Sequence, residues 1–239
     1  MKRTAWGLAA MLLSFLFGTV IALGSLTAMR GRLDTAALTA QPFNVPTLLV
    51  TCLDPLAILL EIVAIILIVM DSRQFGGLHR RLARTAAIFF VIWAIANLGA
   101  FLPLSFLGMR HGSVSMIKVA QMVKAGAAVL QYSIPFLLAF GLTRKVPRVL
   151  LWLALALTVV GNFGAVTSPI EGIQLQPVES LGQTMYVPHF NVDYTAGLYP
   201  ILLALGYIGG VLYMLVYAFL TRQTWKEVRA SSTQVKQAA

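Results

Sequence analysis

The chain has 239 residues, of which 59% are apolar and only 11% charged, with a formal charge of +10. A soluble domain carries about a quarter charged residues, so this composition excludes an ordinary water-soluble domain and points to a polytopic helical membrane protein. In such a protein the placement of positive charge reports orientation rather than nucleic-acid binding, and a single cysteine, Cys52, excludes an internal disulfide framework and a CxxC metal or redox site.

Six segments reach the roughly 20 apolar residues that cross a bilayer: 6–28, 47–70, 85–107, 115–142, 148–167 and 196–220. The first begins "MKR" and resembles a secretory signal, but its apolar stretch exceeds a signal's hydrophobic region, so it is expected to remain as a span. One of its faces carries Ala10, Ser14, Gly18 and Ala22, a small residue at every fourth position. Lipid offers no hydrophobic drive for helices to associate, and small residues permit the close approach that replaces it.

The second span, "PTLLVTCLDPLAILLEIVAIILIVMD", holds Asp54 and Glu61. Seven residues is close to two helical turns, so both carboxyls leave one face about 10 Å apart. Ionisable groups in hydrocarbon are costly and mark function by default. The third span carries Asn97 at its middle, and the fourth carries Lys124 and Gln131, again seven apart. A polar seam is therefore expected, with Asp54 facing Lys124 and Glu61 facing Gln131 or Asn97. Pro55 and Pro135 lack an N–H and free the carbonyls of Thr51 and Gln131 beside that seam. A static bridge with a protonated, hydrogen-bonded Glu61, a proton- or cation-coupled role, and a site for a polar headgroup or small substrate all fit this pattern.

Between the fifth and sixth spans lies "SPIEGIQLQPVESLGQTMYVPHFNVDY", too long for an idle connection. This outer loop, 168–195, is expected to be a lid over the protein's own outer cavity or a docking surface for another subunit. The sixth span contributes Gly206 and Gly210 in a GxxxG relation, a second helix-packing face, serving intramolecular contact, a homo-oligomer or a partner.

Alternating spans place Lys2, Arg3, Arg73, Arg80, Arg81, Arg84, Arg144, Lys145, Arg148, Arg222, Lys226, Arg229 and Lys236 on one side, and Arg30, Arg32, Arg110 and Lys118 on the other. Cytoplasmic loops carry the excess of Lys and Arg. The expected fold is all-α: a bundle of six transmembrane helices with both termini cytoplasmic, residues 1–221 forming one domain and 222–239 a polar disordered tail. A bacterial cytoplasmic (inner) membrane is the expected location. The "HRRLAR" cluster at 79–84 serves the same topology signal and can also attract anionic lipid headgroups.

No catalytic motif is present, and His79, His111 and His189 all fall outside the spans, which argues against a haem b site and leaves no cofactor or metal expected. Membrane lipids are the expected surroundings, with no nucleic acid. The favoured function is a non-enzymatic accessory or structural subunit of a larger membrane complex. A small transporter coupled to protons or cations through Asp54 and Glu61 is the alternative, followed by an intramembrane enzyme acting on a lipid or isoprenoid.

Overall fold

An apolar segment of 20 or more residues becomes a helix in hydrocarbon because only a helix satisfies every backbone polar group from within one segment. The computed structural model describes residues 1–32, 45–143, 145–168, 170, 172–180, 183–190 and 197–238; within these, the side chains of 21–32, 45–52, 54, 145–146, 180, 183, 189–190 and 232–238 lie outside the described set. The helices are α1 (Lys2–Arg32), α2 (Val45–Asp71), α3 (Gly77–Ile95), α4 (Leu102–His111), α5 (Val114–Phe140), α6 (Lys145–Thr167) and α7 (Tyr199–Ala238). A 3-10 turn, Ser72–Phe75, follows α2, and a π-helical turn, Ala96–Phe101, joins α3 to α4 into one continuous rod. Counting that rod once, six helices are long and apolar enough to cross a membrane.

Their packing closes a ring. Helix α1 lies between α2 and α7, α7 against α6, α6 against α5, α5 against α3 and α4, and α3 against α2. The core runs down the centre through Leu8, Met11, Ile68, Ile134, Leu138, Leu151, Tyr213 and Tyr217. Large apolar side chains such as Ile88, Ile95, Leu98 and Val149 point outward, the arrangement suited to lipid.

Tight contact depends on glycine at different positions from those the sequence pattern suggested. A Cβ on Gly161 of α6 would collide with the Gly206 backbone nitrogen, and one on Gly209 with the Thr158 hydroxyl, so α6 and α7 cross backbone to backbone. Gly206 is thus at the crossing as expected, but its helical companion is Gly209; the Cβ position of Gly210 is open space. On α1, Gly7 meets Ile68 and Ala64 of α2, and the Ser14 hydroxyl donates to the Ala57 carbonyl at 3.0 Å. Ala10 is buried, Gly18 is exposed with nothing near its Cβ position, and the Ala22 side chain lies outside the described residues.

Contacts fix which helix ends share a side. The Met1 ammonium donates to Asp71 and to Gln74, each at 2.6 Å, and the Thr4 backbone N–H donates to Asp71 at 3.2 Å, tying the start of α1 to the end of α2. Gly141, just after α5, abuts His79 at the start of α3. Trp6 meets Trp225 edge-on at 5.3 Å, bringing the far end of α7 to the same side. Arg3, Arg73, Arg80, Arg84, Arg148, Arg222 and Arg229 all gather there.

Two elements depart from the expected fold. Helix α7 continues to Ala238 where a disordered tail was expected, because Leu220, Thr224 and Val228 extend one buried stripe down its face. The outer loop contains a two-stranded antiparallel hairpin, β1 (Ile173–Ser180) and β2 (Gln183–Phe190), paired from Ile173↔Phe190 to Ser180↔Gln183. Its inner face sets Ile173 against Ile117 and Ile170, with Leu175 packed on them. Gly112, left-handed at φ 62°, closes α4 beneath the Tyr186 ring, and Ser113 caps α5 by accepting from the Met116 N–H. The fold is therefore predominantly helical, with a small β element resting on the α4–α5 corner.

Candidate functional site

Glu61 sits on the inward face of α2 and is only 7% exposed. Directly across the ring, the Gln131 side chain of α5 lies within hydrogen-bonding reach of its carboxyl. Behind them α7 presents Tyr213 and Tyr217, one helical turn apart and both fully buried; Tyr217 is near enough for its phenol to feel a charge on Glu61. Phe15 of α1 covers the pair, stacked on Tyr213 at 5.4 Å and tilted against Tyr217 at 5.6 Å.

The phenols have specific duties. Tyr213 donates to the Tyr132 carbonyl at 2.9 Å and Tyr217 to the Pro135 carbonyl at 2.8 Å. Pro135 interrupts the hydrogen-bond ladder of α5 at this level, and backbone left unpaired in a bilayer must find a protein or water partner. Two tyrosines four residues apart on α7 hold α5 at the Tyr132 and Pro135 carbonyls, beside the Gln131 carbonyl that Pro135 leaves unpaired. Glu61 is thus enclosed beside one neutral amide, Gln131, with the neighbouring phenols committed to backbone carbonyls.

Three of the surrounding helical segments are irregular. Pro55 lies inside α2, Pro135 inside α5, and the π turn Ala96–Phe101 lies between α3 and α4. Extra-residue turns of this kind concentrate at functional positions. Asn97 opens the π turn and donates to the Trp93 carbonyl of its own helix at 2.8 Å. Its amide thus serves α3, and Gln131 is the amide that reaches Glu61.

Lys124 is exposed, its ammonium 5.3 Å from the centre of the Phe101 ring, a cation–π distance. The expected match between Lys124 and Asp54 lies outside the described residues, because the Asp54 side chain is among those not described. Of the five residues proposed for the polar seam, the described contacts bring together Glu61 and Gln131.

Among the described residues no group of three His, Cys, Asp or Glu is placed to hold a metal ion. His79 falls in the first turn of α3 rather than in a loop, buried between Phe75 and Gly141, and neither ring nitrogen has a hydrogen-bond partner. His111 ends α4 on the opposite side.

Tyr213 and Tyr217 were not among the residues expected at the seam. Their signal was present: two hydroxyls on one face of an apolar helix each require an acceptor once buried, and backbone carbonyls of a neighbouring helix can accept a second bond. No protein-family model, curated protein or solved structure matches the chain, so function is argued from the site alone.

Proposed function

We propose that this is a small integral membrane protein that couples proton binding to a change in helix packing, a proton-coupled carrier in which Glu61 is the proton-binding group. The observation that carries this is the enclosure of Glu61 at the centre of the helix ring among neutral partners, Gln131 and the tyrosine pair. Gln would fill the same volume and hydrogen-bond equally well, so a purely structural position gives no reason to use an acid. An acid supplies a site whose charge changes, and in a low-dielectric interior that change is large compared with the energy of a single hydrogen bond.

The surroundings suit a moving part. Neutral Glu61 can both donate and accept within the cluster; ionised Glu61 is acceptor only, so loss of the proton forces Gln131 and its water or protein neighbours to rearrange. The discontinuities at Pro55, Pro135 and the π turn give α2, α5 and the α3–α4 rod places to bend. The arginine-rich side supports an orientation with both termini cytoplasmic under the positive-inside rule, and a bacterial inner membrane is the location proposed with it.

The test uses protein reconstituted in vesicles adsorbed on a solid support. A rapid pH jump across wild-type protein should give a transient charge-movement current, and Glu61→Gln should abolish it while leaving folding intact. An unchanged transient in Glu61→Gln would remove the proposal.

An accessory subunit is the second reading, favoured by the hairpin. Its outer face exposes Val178 and Val187, and among the described residues neither strand has a second strand partner, a surface to which a partner strand can add. Native mass spectrometry from lipid discs decides this: a stoichiometric companion lost on Val178→Lys with Val187→Lys supports it, and a single chain in all conditions excludes it.

A further inference from the structure

Four arginines converge on one cavity at the arginine-rich end of the ring. Arg3 comes from α1, Arg73 from the 3-10 turn, and Arg80 and Arg84 from successive turns of α3; with Val69 and Met70 they line a space of about 290 Å³. No acid lines it. Asp71, adjacent in sequence to the lining residues Met70 and Ser72, is not part of the lining and already accepts from the Met1 ammonium, the Thr4 hydroxyl and backbone, and Gln74. Among the described residues none of the four guanidinium groups has an ion pair or hydrogen-bond partner.

The positive-inside rule explains why arginines lie on this side, but not why four of them surround one hollow. Charge placed anywhere on that side satisfies the rule, as exposed Arg81 and Arg222 do without lining the cavity. Like charges gathered around a concavity with no internal counter-ion form a site for an anion, and guanidinium forks match phosphate oxygens in bidentate fashion.

The cavity wall indicates which anion. Met70 is 55% exposed, and it ends a stripe of outward apolar residues on α2, Leu59, Val63, Ile66 and Met70, at the helical spacing of one face. A headgroup seated among the arginines would thus have its acyl chains continue along an apolar track already facing lipid. We infer that this cavity binds the phosphodiester headgroup of an anionic phospholipid, with Arg3, Arg73, Arg80 and Arg84 as the phosphate ligands and the α2 stripe as the chain contact. Basic pockets between transmembrane helices at this depth bind such headgroups.

The experiment is native mass spectrometry of the full chain released from nanodiscs of mixed phosphatidylglycerol and phosphatidylcholine. Wild-type protein should retain phosphatidylglycerol selectively, and the double variant Arg80→Gln with Arg84→Gln should weaken that retention about thirtyfold, two surface arginines' worth. Arg81→Gln, beside the cavity but not lining it, should retain lipid as wild type does. Equal retention of the two lipids by wild type, a reading that needs no variant, would overturn the inference. So would a double variant that still holds phosphatidylglycerol, or displacement of the lipid by millimolar inorganic phosphate with no preference left for the lipid, which would make the site one for a free anion.

Discussion

Adding one methyl group to Gly161 tests the α6–α7 crossing more sharply than any large substitution. The Cβ of Gly161→Ala would collide with the Gly206 nitrogen and stand 2.6 Å from the Leu202 carbonyl oxygen and 2.7 Å from the Gly206 Cα. These obstacles are backbone, so no side chain can swing aside. Restoring even the shortest ordinary contact, 3.4 Å, from 2.6 Å requires the helices to part by at least about 0.8 Å, and clearing the closer Gly206 nitrogen requires more. A gap of that size forfeits a quarter to a half of the dispersion energy of each pair, and some tens of pairs at about 0.1–0.2 kcal/mol each sum to a loss of about 2 kcal/mol. Overpacked cores lose about 1–3 kcal/mol by direct comparison. Gly210→Ala is the control: its Cβ meets open space, so stability should stay level or rise slightly as Ala replaces Gly in a helix. Reversible unfolding in mixed micelles, followed by tryptophan fluorescence, measures both. If Gly161→Ala is neutral, or if Gly210→Ala is as damaging, the helices cross elsewhere and the close-approach argument fails.

Removing the Tyr217 hydroxyl in Tyr217→Phe takes away the phenol bond to the Pro135 carbonyl and should cost about 1 kcal/mol in the same assay; a neutral result would mean that this bond adds nothing to the α5–α7 contact. Extending the chain before Met1 removes the free ammonium that Asp71 binds; because that ammonium is nearly half exposed, the loss should be about 1 kcal/mol or less, read as a small fall in thermal midpoint against a C-terminally tagged protein. Gly112→Ala forces a left-handed position to carry a Cβ 3.0 Å from the Tyr186 ring, which should loosen the hairpin by about 1 kcal/mol and raise its proteolysis rate; unchanged cleavage would separate the hairpin from the α4–α5 corner.

The six helices long and apolar enough to cross a membrane were legible because hydrocarbon imposes a length and a composition that few other structures share. The approach of Glu61 to Gln131 was legible for a similar reason: two parallel helices with polar groups at a seven-residue spacing expose them at matching depth. The helix rotation at α6–α7 was not legible. Gly206, Gly209 and Gly210 lie within one turn and a quarter, and choosing Gly209 over Gly210 requires the position of Thr158 on the neighbouring helix. The hairpin had its signal in the alternation Ile173, Leu175 against Gln174, Gln176, but Pro177 and Pro188 argue against strands. Both prolines are tolerated because a two-stranded sheet consists only of edges. The π turn leaves no mark in "ANLGAF", since an extra residue in a helical turn is set by packing around it rather than by local preference.

The central claim is that Glu61 gains and loses a proton within the folded ring. Infrared difference spectroscopy of the reconstituted protein, recorded as pH is raised from acid to alkaline, reads this directly. A protonated-carboxyl band that bleaches with rising pH, disappears in Glu61→Gln and persists in Glu179→Gln is the predicted result. No pH-dependent band assignable to Glu61, or a band that survives Glu61→Gln, would make Glu61 a fixed structural group and contradict proton coupling at this site.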